Sequence, residues 1–164
     1  MTGEKKASAT RYHRKTLLAA ADRLLTEYGY DGMNMNLLSK EAGYSKATVY
    51  VYFESKDEIV RELCIERLGL ARSEIALVLK SDLDKESKFA EIKRLLDEFA
   101  EGDRTYFDFI CASGDAAPDS DSAARLSALV SDILDDMTVL APVDELKARW
   151  YSYYGRIKTQ SLFE

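Results

Sequence analysis

Apolar residues recur every three or four positions along most of the chain, which is the spacing of amphipathic α-helices. The first such face runs through residues 17–28. Gly29 is predicted to end this helix, because glycine tolerates the positive φ that is common just after a helix. Comparable faces occupy residues 89–99, 126–137 and 146–157. Because no stretch keeps the two-residue alternation of a half-buried strand, the pattern predicts an all-α fold.

Two short helices and a sharp turn are predicted between residues 34 and 53. Asn34 is a good N-cap for a helix that Gly43 ends, and Ser45 caps a second helix over residues 46–53. Ser55 then opens a Ser-x-x-Glu capping box before a long helix. Two helices joined by such a turn are typical of a DNA-reading helix-turn-helix, whose second helix enters the major groove.

The two short helices divide into an inner and an outer face. Leu38 and Ala42 of the first helix can pack against Val49 and Phe53 of the second. The other residues of the second helix are hydroxyls, a cation and small groups, which can reach phosphates or base edges. These residues are Ser45, Lys46, Ala47, Thr48, Tyr50 and Tyr52.

Charge is unevenly distributed along the chain, whose formal net charge is −6 over 164 residues. Residues 1–60 contain nine Lys and Arg against eight Asp and Glu, or +1, which leaves −7 for residues 61–164. The first fifteen residues form a basic arm with Lys5, Lys6, Arg11, Arg14 and Lys15. The arm is either a solvated tail or a phosphate-contacting segment, and the second interpretation depends on the DNA-reading element that follows.

The residue inventory argues against an enzyme, a metal site or a bound cofactor. The single histidine, His13, is expected to lie exposed in the basic arm, away from any partner for a catalytic relay. Cys64 and Cys111 show no metal-ligand spacing, and there is no glycine-rich phosphate loop. Since no apolar run approaches a membrane span and the N-terminus has no secretion signal, a cytoplasmic location away from membranes is expected.

Residues 17–60 resemble the N-terminal domain of TetR/AcrR-type bacterial transcriptional regulators. The resemblance extends over three consecutive predicted helices at fixed spacing. Four positions depart from the family pattern. Asn34 replaces the usual capping Thr, Leu37 a normally polar residue, Ser39 the usual small Ala, and Ala47 a residue that is often Gly. The matching features are Ala20-Ala21, Gly29-Tyr30, Ala42-Gly43, Ser45, Thr48, Tyr50, Tyr52-Phe53, Ser55-Lys56 and Ile59.

The resemblance implies roles for individual residues. Thr48 and Tyr50 would contact phosphates. Lys56 would add its charge near the N-terminus of the long helix that follows Ser55, where the helix dipole is positive. Lys46 and Tyr52 would approach bases. The complete predicted DNA-binding set is Asn34, Ser45, Lys46, Ala47, Thr48, Tyr50, Tyr52 and Lys56.

The resemblance also implies a division of labour along the chain. Residues 1–56 would form the basic arm and DNA-binding domain, and residues 57–164 a helical domain for dimerisation and ligand binding. Aromatic residues are concentrated in two segments of the second part, where they could form a pocket or an ordinary core and dimer interface. The candidate pocket residues are Tyr106, Phe109, Trp150 and Tyr154.

We therefore expect a homodimeric transcriptional regulator, most often a repressor in this family, that binds a pseudo-palindromic double-stranded DNA operator. A small hydrophobic or aromatic ligand is expected to alter that binding. One alternative is a DNA-binding adaptor or nucleoid-associated protein, whose helical domain binds a protein instead of a ligand. Another is a ligand-binding dimer that has lost DNA binding.

Overall fold

The protein is all-α, as the sequence predicts. The computed structural model describes residues 2–113 and 119–160, with side chains for residues 7–111, 119–150 and 152. Within these ranges there is no strand. The elements are α1 (Thr2–Gly32), α2 (Met35–Ala42), α3 (Lys46–Tyr52), α4 (Lys56–Lys80), α5 (Lys85–Gly102), α6 (Arg104–Ser113), α7 (Asp121–Asp136), a 3-10 turn (Met137–Val139) and α8 (Val143–Gln160).

The first helix is longer than its apolar pattern suggests. α1 starts at Thr2, so the basic arm is a helical extension. α1 also continues past Gly29 to Gly32, although Gly29 itself has φ 66° and ψ −178°. This combination is essentially restricted to glycine. The predicted break is therefore a kink that redirects the last turn of α1 toward α2.

The predicted N-caps are confirmed. The side chains of Asn34, Ser45 and Ser55 each accept a backbone N–H from the first turn of the following helix. The capping box closes one residue earlier than its standard form, because Glu58 accepts the N–H of Glu54. Each of these caps satisfies amide groups that a helix start leaves unpaired.

α4 lies at the centre of the molecule. Its first turns bury Ile59 and Leu63 in the same hydrophobic cluster as Leu17 of α1, and its later turns add Leu68 and Ile75. One continuous core therefore reaches from α1 to α7. The predicted domain boundary between residues 56 and 57 falls at the start of α4, and it remains a prediction.

Candidate nucleic-acid interface and interior cavity

The turn between α2 and α3 has the geometry that the glycine predicts. Gly43 adopts φ 71° and ψ 27°, in the left-handed region. Its N–H donates to the carbonyl of Lys40, and the N–H of Tyr44 donates to the carbonyl of Ser39 at 2.9 Å. These two bonds form a Schellman motif, which satisfies the last carbonyls of α2 and sets the direction of α3.

One face of α3 is open to solvent. Lys46 and Ala47 are exposed, and Tyr50 is 46% exposed, with its ring 6.0 Å from the Lys46 ammonium. At the start of the helix the hydroxyls of Ser45 and Thr48 lie 2.8 Å apart. Five of the eight predicted contact residues thus lie on or beside a single exposed surface, which we call the α3 face (Ser45, Lys46, Ala47, Thr48 and Tyr50).

Tyr52 of α3 packs against α1. It is half-buried, and its ring centroid is 5.5 Å from that of His13 in α1. His13 in turn lies 2.6 Å from the Tyr44 hydroxyl. The expectation that His13 is exposed was wrong, because its imidazole is held between α1 and the helix-turn-helix. Contact of Tyr52 with bases stays a prediction, and its position favours packing.

Two other predicted contact residues also make internal bonds. The Lys56 ammonium donates to the carbonyl of Tyr30 at 2.9 Å and lies 3.8 Å from the centroid of the Tyr30 ring. It therefore stabilises the last turn of α1 after the Gly29 kink. Asn34 is exposed, but its side-chain oxygen accepts the N–H groups of Asn36 and Leu37 at the start of α2.

Sequence reasoning missed one residue of the exposed surface. Val51 is 76% exposed and lies one turn after Ala47 on the same side of α3. A valine methyl group in this position can make apolar contact with a thymine methyl in the major groove. The helical spacing from Ala47 to Val51 was the signal available in the sequence.

Arg14 is the least expected of the described arm residues. Its guanidinium donates to the Tyr52 carbonyl at 2.5 Å and lies 4.2 Å from the centroid of the Phe53 ring. Glu58 and Glu62 of α4 lie 3.6 and 3.4 Å away. These contacts hold α3 against α1 and α4. The geometry of Arg14 therefore favours a structural role over a phosphate contact.

A cavity of about 650 Å³ lies between α4, α5, α7 and α8. Its walls are mainly aliphatic and aromatic, and Glu86, Lys93, Glu145 and Arg149 add charged groups. The Arg149 guanidinium lies 4.5 Å from the centroid of the Phe89 ring. The lining includes Leu68, Ala71, Ile75, Phe89, Ile92, Leu96, Ile110, Val130, Ile133, Leu134, Met137, Leu146 and Trp150.

Of the predicted pocket residues whose side chains the structure describes, Trp150 alone lines this cavity. Tyr106 is buried at the junction of α6 with α1, where its hydroxyl donates to Asp22. Burial, followed by this hydrogen bond, raises the pKa of Tyr106. Phe109 packs against Tyr30 with ring centroids 5.7 Å apart. The side chain of Tyr154 lies outside the described residues.

The helix-turn-helix region also matches a known family. Residues 17–63 fit the model of the bacterial regulatory proteins of the tetR family. The chain thus carries a tetR-type N-terminal domain over residues 17–63. The fitted residues include α2, α3 and the first turns of α4, so they contain the whole α3 face.

Curated regulator proteins align with this region. The chain is 36% identical over 50 residues to YhgD, an uncharacterized HTH-type transcriptional regulator of Bacillus subtilis, which covers 30% of the chain and 26% of YhgD. It is 32% identical over 53 residues to the fatty acid metabolism regulator protein of the same organism, covering 32% and 27%. The aligned stretches thus span about a quarter of these relatives' own length.

Solved structures of transcriptional regulators share the fold over most of the chain. FadR from Bacillus subtilis, solved in complex with stearoyl-CoA, matches with a TM-score of 0.61 at 17% identity, covering 87% of this chain and 82% of FadR. PfmR from Thermus thermophilus matches with a TM-score of 0.58 at 22% identity, covering 76% and 67%. At these identities the likeness establishes the helical architecture and nothing finer.

In the described part of the chain, no helix is long and apolar enough to cross a membrane. Nor do the described residues contain a group of three or more His, Cys, Asp or Glu side chains that could hold a metal ion.

Proposed function

We propose that this TetR-family regulator acts as a homodimeric repressor, which reads a pseudo-palindromic operator through the α3 face and changes its affinity when a ligand fills the cavity. In this proposal residues 1–56 bind DNA and residues 57–164 carry the dimer contacts and the ligand. The observation that carries the DNA-binding half is the exposed cluster of Ser45, Lys46, Thr48 and Tyr50 on a helix whose opposite side is buried.

The composition of the α3 face suits duplex binding. Lys46, which the resemblance assigns to bases, also carries a charge that can neutralise a phosphate, while Tyr50 and Thr48 supply hydroxyl groups for phosphate oxygens. The buried Val49 and Phe53 hold the helix in place, so the outer side chains are presented by a fixed element. α3 is only seven residues long. It can read few base pairs by itself, and for this reason we propose a dimer with two half-sites.

A salt titration tests the DNA-binding half. A duplex selected from a random pool by the full-length protein serves as probe, and binding is followed by fluorescence anisotropy. Lys46→Ala should weaken binding and lower the slope of log affinity against log salt by about one. Lys80→Ala is the matched control, because Lys80 is an exposed lysine at the far end of α4. If wild-type protein does not bind duplexes at low salt, or if Lys46→Ala and Lys80→Ala have the same affinity and salt slope, the proposal is wrong.

The cavity supports the ligand half of the proposal. Its volume of about 650 Å³ lies within the range of about 300–1,000 Å³ for small-molecule sites. The apolar walls favour a ligand with an apolar body, while the cations Arg149 and Lys93 are each paired with a carboxylate, Glu145 and Asp97. A fatty acyl chain is an apolar body of this kind. The FadR structure with stearoyl-CoA is a precedent in another protein of the same fold.

A cavity-filling variant tests the ligand half. Stearoyl-CoA and free stearate are added separately to the protein–duplex complex, and we expect at least one of them to change the duplex affinity. Leu134→Trp should abolish that response, because Leu134 lines the cavity. Leu77→Trp should keep it, because Leu77 lies exposed on α4. A response that survives in Leu134→Trp, or no response to either compound, would contradict an acyl ligand in this cavity.

Light scattering tests the dimer. The expected mass is twice that of the 18.5 kDa chain, and a monomeric mass at the concentrations used for duplex binding would exclude the proposed assembly.

A further inference from the structure

The carboxyl end of α3 is held by a single guanidinium group. The last carbonyls of any helix lack intrahelical partners and carry partial negative charge. A cation at this end can donate hydrogen bonds to them and balance that charge. Arg14 provides it, with one Nη donating to the Tyr52 carbonyl at 2.5 Å and its plane over the Phe53 ring. The position of α3 relative to α1 therefore depends on Arg14 in addition to the buried Val49 and Phe53.

Glu62 of α4 connects this guanidinium to a second one. The same carboxylate oxygen of Glu62 lies 3.4 Å from Arg14 and accepts a bond from Arg125 of α7 at 2.6 Å. The Glu62 side chain is only 13% exposed. In such a setting a carboxylate is strongly attracted to any remaining cation when one is withdrawn.

α7 joins this cluster to the cavity. Arg125 lies near the start of α7, beside a second tie in which Arg61 donates to Ser120 at 3.1 Å. Further along the same helix, Ile133 and Leu134 line the cavity. A helix transmits a shift of one end to the other, since its backbone is bonded throughout. A displacement of α7 therefore reaches the Arg125–Glu62 bond.

We propose that Glu62 is a positioning residue that couples α7 to the carboxyl end of α3. With Arg125 in place, the charge of Glu62 is shared and Arg14 stays on the Tyr52 carbonyl. When Arg125 is withdrawn, Glu62 draws Arg14 toward α4 and the hold on α3 weakens. The consequence for DNA affinity rests on the proposed function, but the coupling itself does not.

Hydrogen exchange of the free protein tests the coupling without DNA. Arg125→Gln should speed exchange of the amides of residues 46–53 by about fivefold, a typical size for coupling between two sites. The double variant Arg125→Gln with Glu62→Gln should exchange at the wild-type rate, because the carboxylate that attracts Arg14 is gone. Arg72→Gln is the matched control, since Arg72 also ties α4 to α7, through Asp132 and Asp136.

Duplex affinity provides the second readout. Arg125→Gln should weaken binding about fivefold with an unchanged salt slope, and Glu62→Gln should restore the affinity in the double variant. If Arg125 and Glu62 had a purely structural role, the double variant would bind duplex more weakly than Arg125→Gln, because two destabilising changes add. Equal effects of Arg125→Gln and Arg72→Gln on exchange, or additive effects of the double variant, would overturn the coupling. Failure of wild-type protein to bind any duplex would refute the proposed function only, since the exchange pattern still decides the coupling.

Discussion

Two regions that share one core differ in how their interiors are filled, the N-terminal unit (residues 2–63) around the helix-turn-helix and the C-terminal unit (residues 64–113 and 119–160) around the cavity. In the N-terminal unit the residues around the helix-turn-helix close completely, with Val49 and Leu38 fully buried and Phe53 1% exposed. In the C-terminal unit the helices diverge around a cavity of about 650 Å³. A closed core fixes side chains in space, whereas a wall beside a cavity can move at low cost.

The difference corresponds to the two proposed tasks. Reading DNA needs the α3 face held in one orientation. The helix caps, the turns at Gly29 and Gly43 and the buried ring of Phe53 all help to fix that orientation. Responding to a ligand needs a volume that can be empty or filled. The C-terminal unit provides such a volume where α5 and α8 face α4 and α7.

Truncation of an apolar residue in each unit gives the largest expected contrast. Phe53→Ala should lower the free energy of unfolding by about 3–5 kcal/mol, because it leaves a new cavity in a closed core. Leu134→Ala should cost about 1–2 kcal/mol, because Leu134 is half-buried beside space that already exists. Urea denaturation followed by circular dichroism measures both. Equal losses would mean that the two interiors are packed alike.

Replacing one glycine in each unit by alanine gives the next contrast, because the two changes in stability should have opposite signs. Gly29→Ala should destabilise by about 1–3 kcal/mol, since the backbone at φ 66° and ψ −178° excludes a Cβ even though nothing lies within 4 Å of its position. Gly69→Ala in the middle of α4 should stabilise by about 0.5–1 kcal/mol, because it meets no atom within 4 Å in an ordinary helix. Thermal unfolding measures both, and a loss at Gly69 would contradict this explanation.

The local features of the N-terminal unit could be predicted because each depends on neighbours in sequence. A cap at Asn34 or Ser45 needs only the amides two or three residues ahead, and the turn at Gly43 needs only its own backbone. Exposure of Lys46 and Tyr50 follows from their polar character, since the apolar Val49 and Phe53 supply the inner face. For these reasons the fold and most of the α3 face were accessible from sequence.

Contacts between distant helices could not be predicted in the same way. Arg14 belongs to a basic arm in the sequence, yet its partners are 38 to 48 residues away, at Tyr52, Glu58 and Glu62. The pocket residues show the same problem. Tyr106 and Phe109 have the aromatic character of a ligand site, but the packing of α6 against α1 directs them toward Asp22 and Tyr30. Periodicity says that a side chain is buried and not which neighbour buries it.

The smallest expected effect concerns the alkaline stability of the Gly29 kink. The Tyr30 hydroxyl donates to Asp57 at the start of α4. Burial, followed by this bond, raises the pKa of Tyr30 from 10.0 to about 12. In the unfolded chain the phenol ionises near its ordinary pKa. The folded protein therefore retains a proton that the unfolded chain releases, and the linked stability is complete below pH 10 and is lost as the pH rises toward 12.

Tyr30→Phe removes this titration. The melting temperature of wild-type protein should fall more steeply than that of Tyr30→Phe between pH 10 and 12, while the difference between them stays constant below that window. Asp57→Asn is the matched variant. It removes the carboxylate but leaves the burial of the ring, so its alkaline slope should lie between the other two. Because Tyr30 also contacts Phe109 of the C-terminal unit, a steeper alkaline slope for wild-type protein than for Tyr30→Phe would place this proton at the boundary between the two units. Parallel curves for all three proteins would exclude a perturbed phenol at this position.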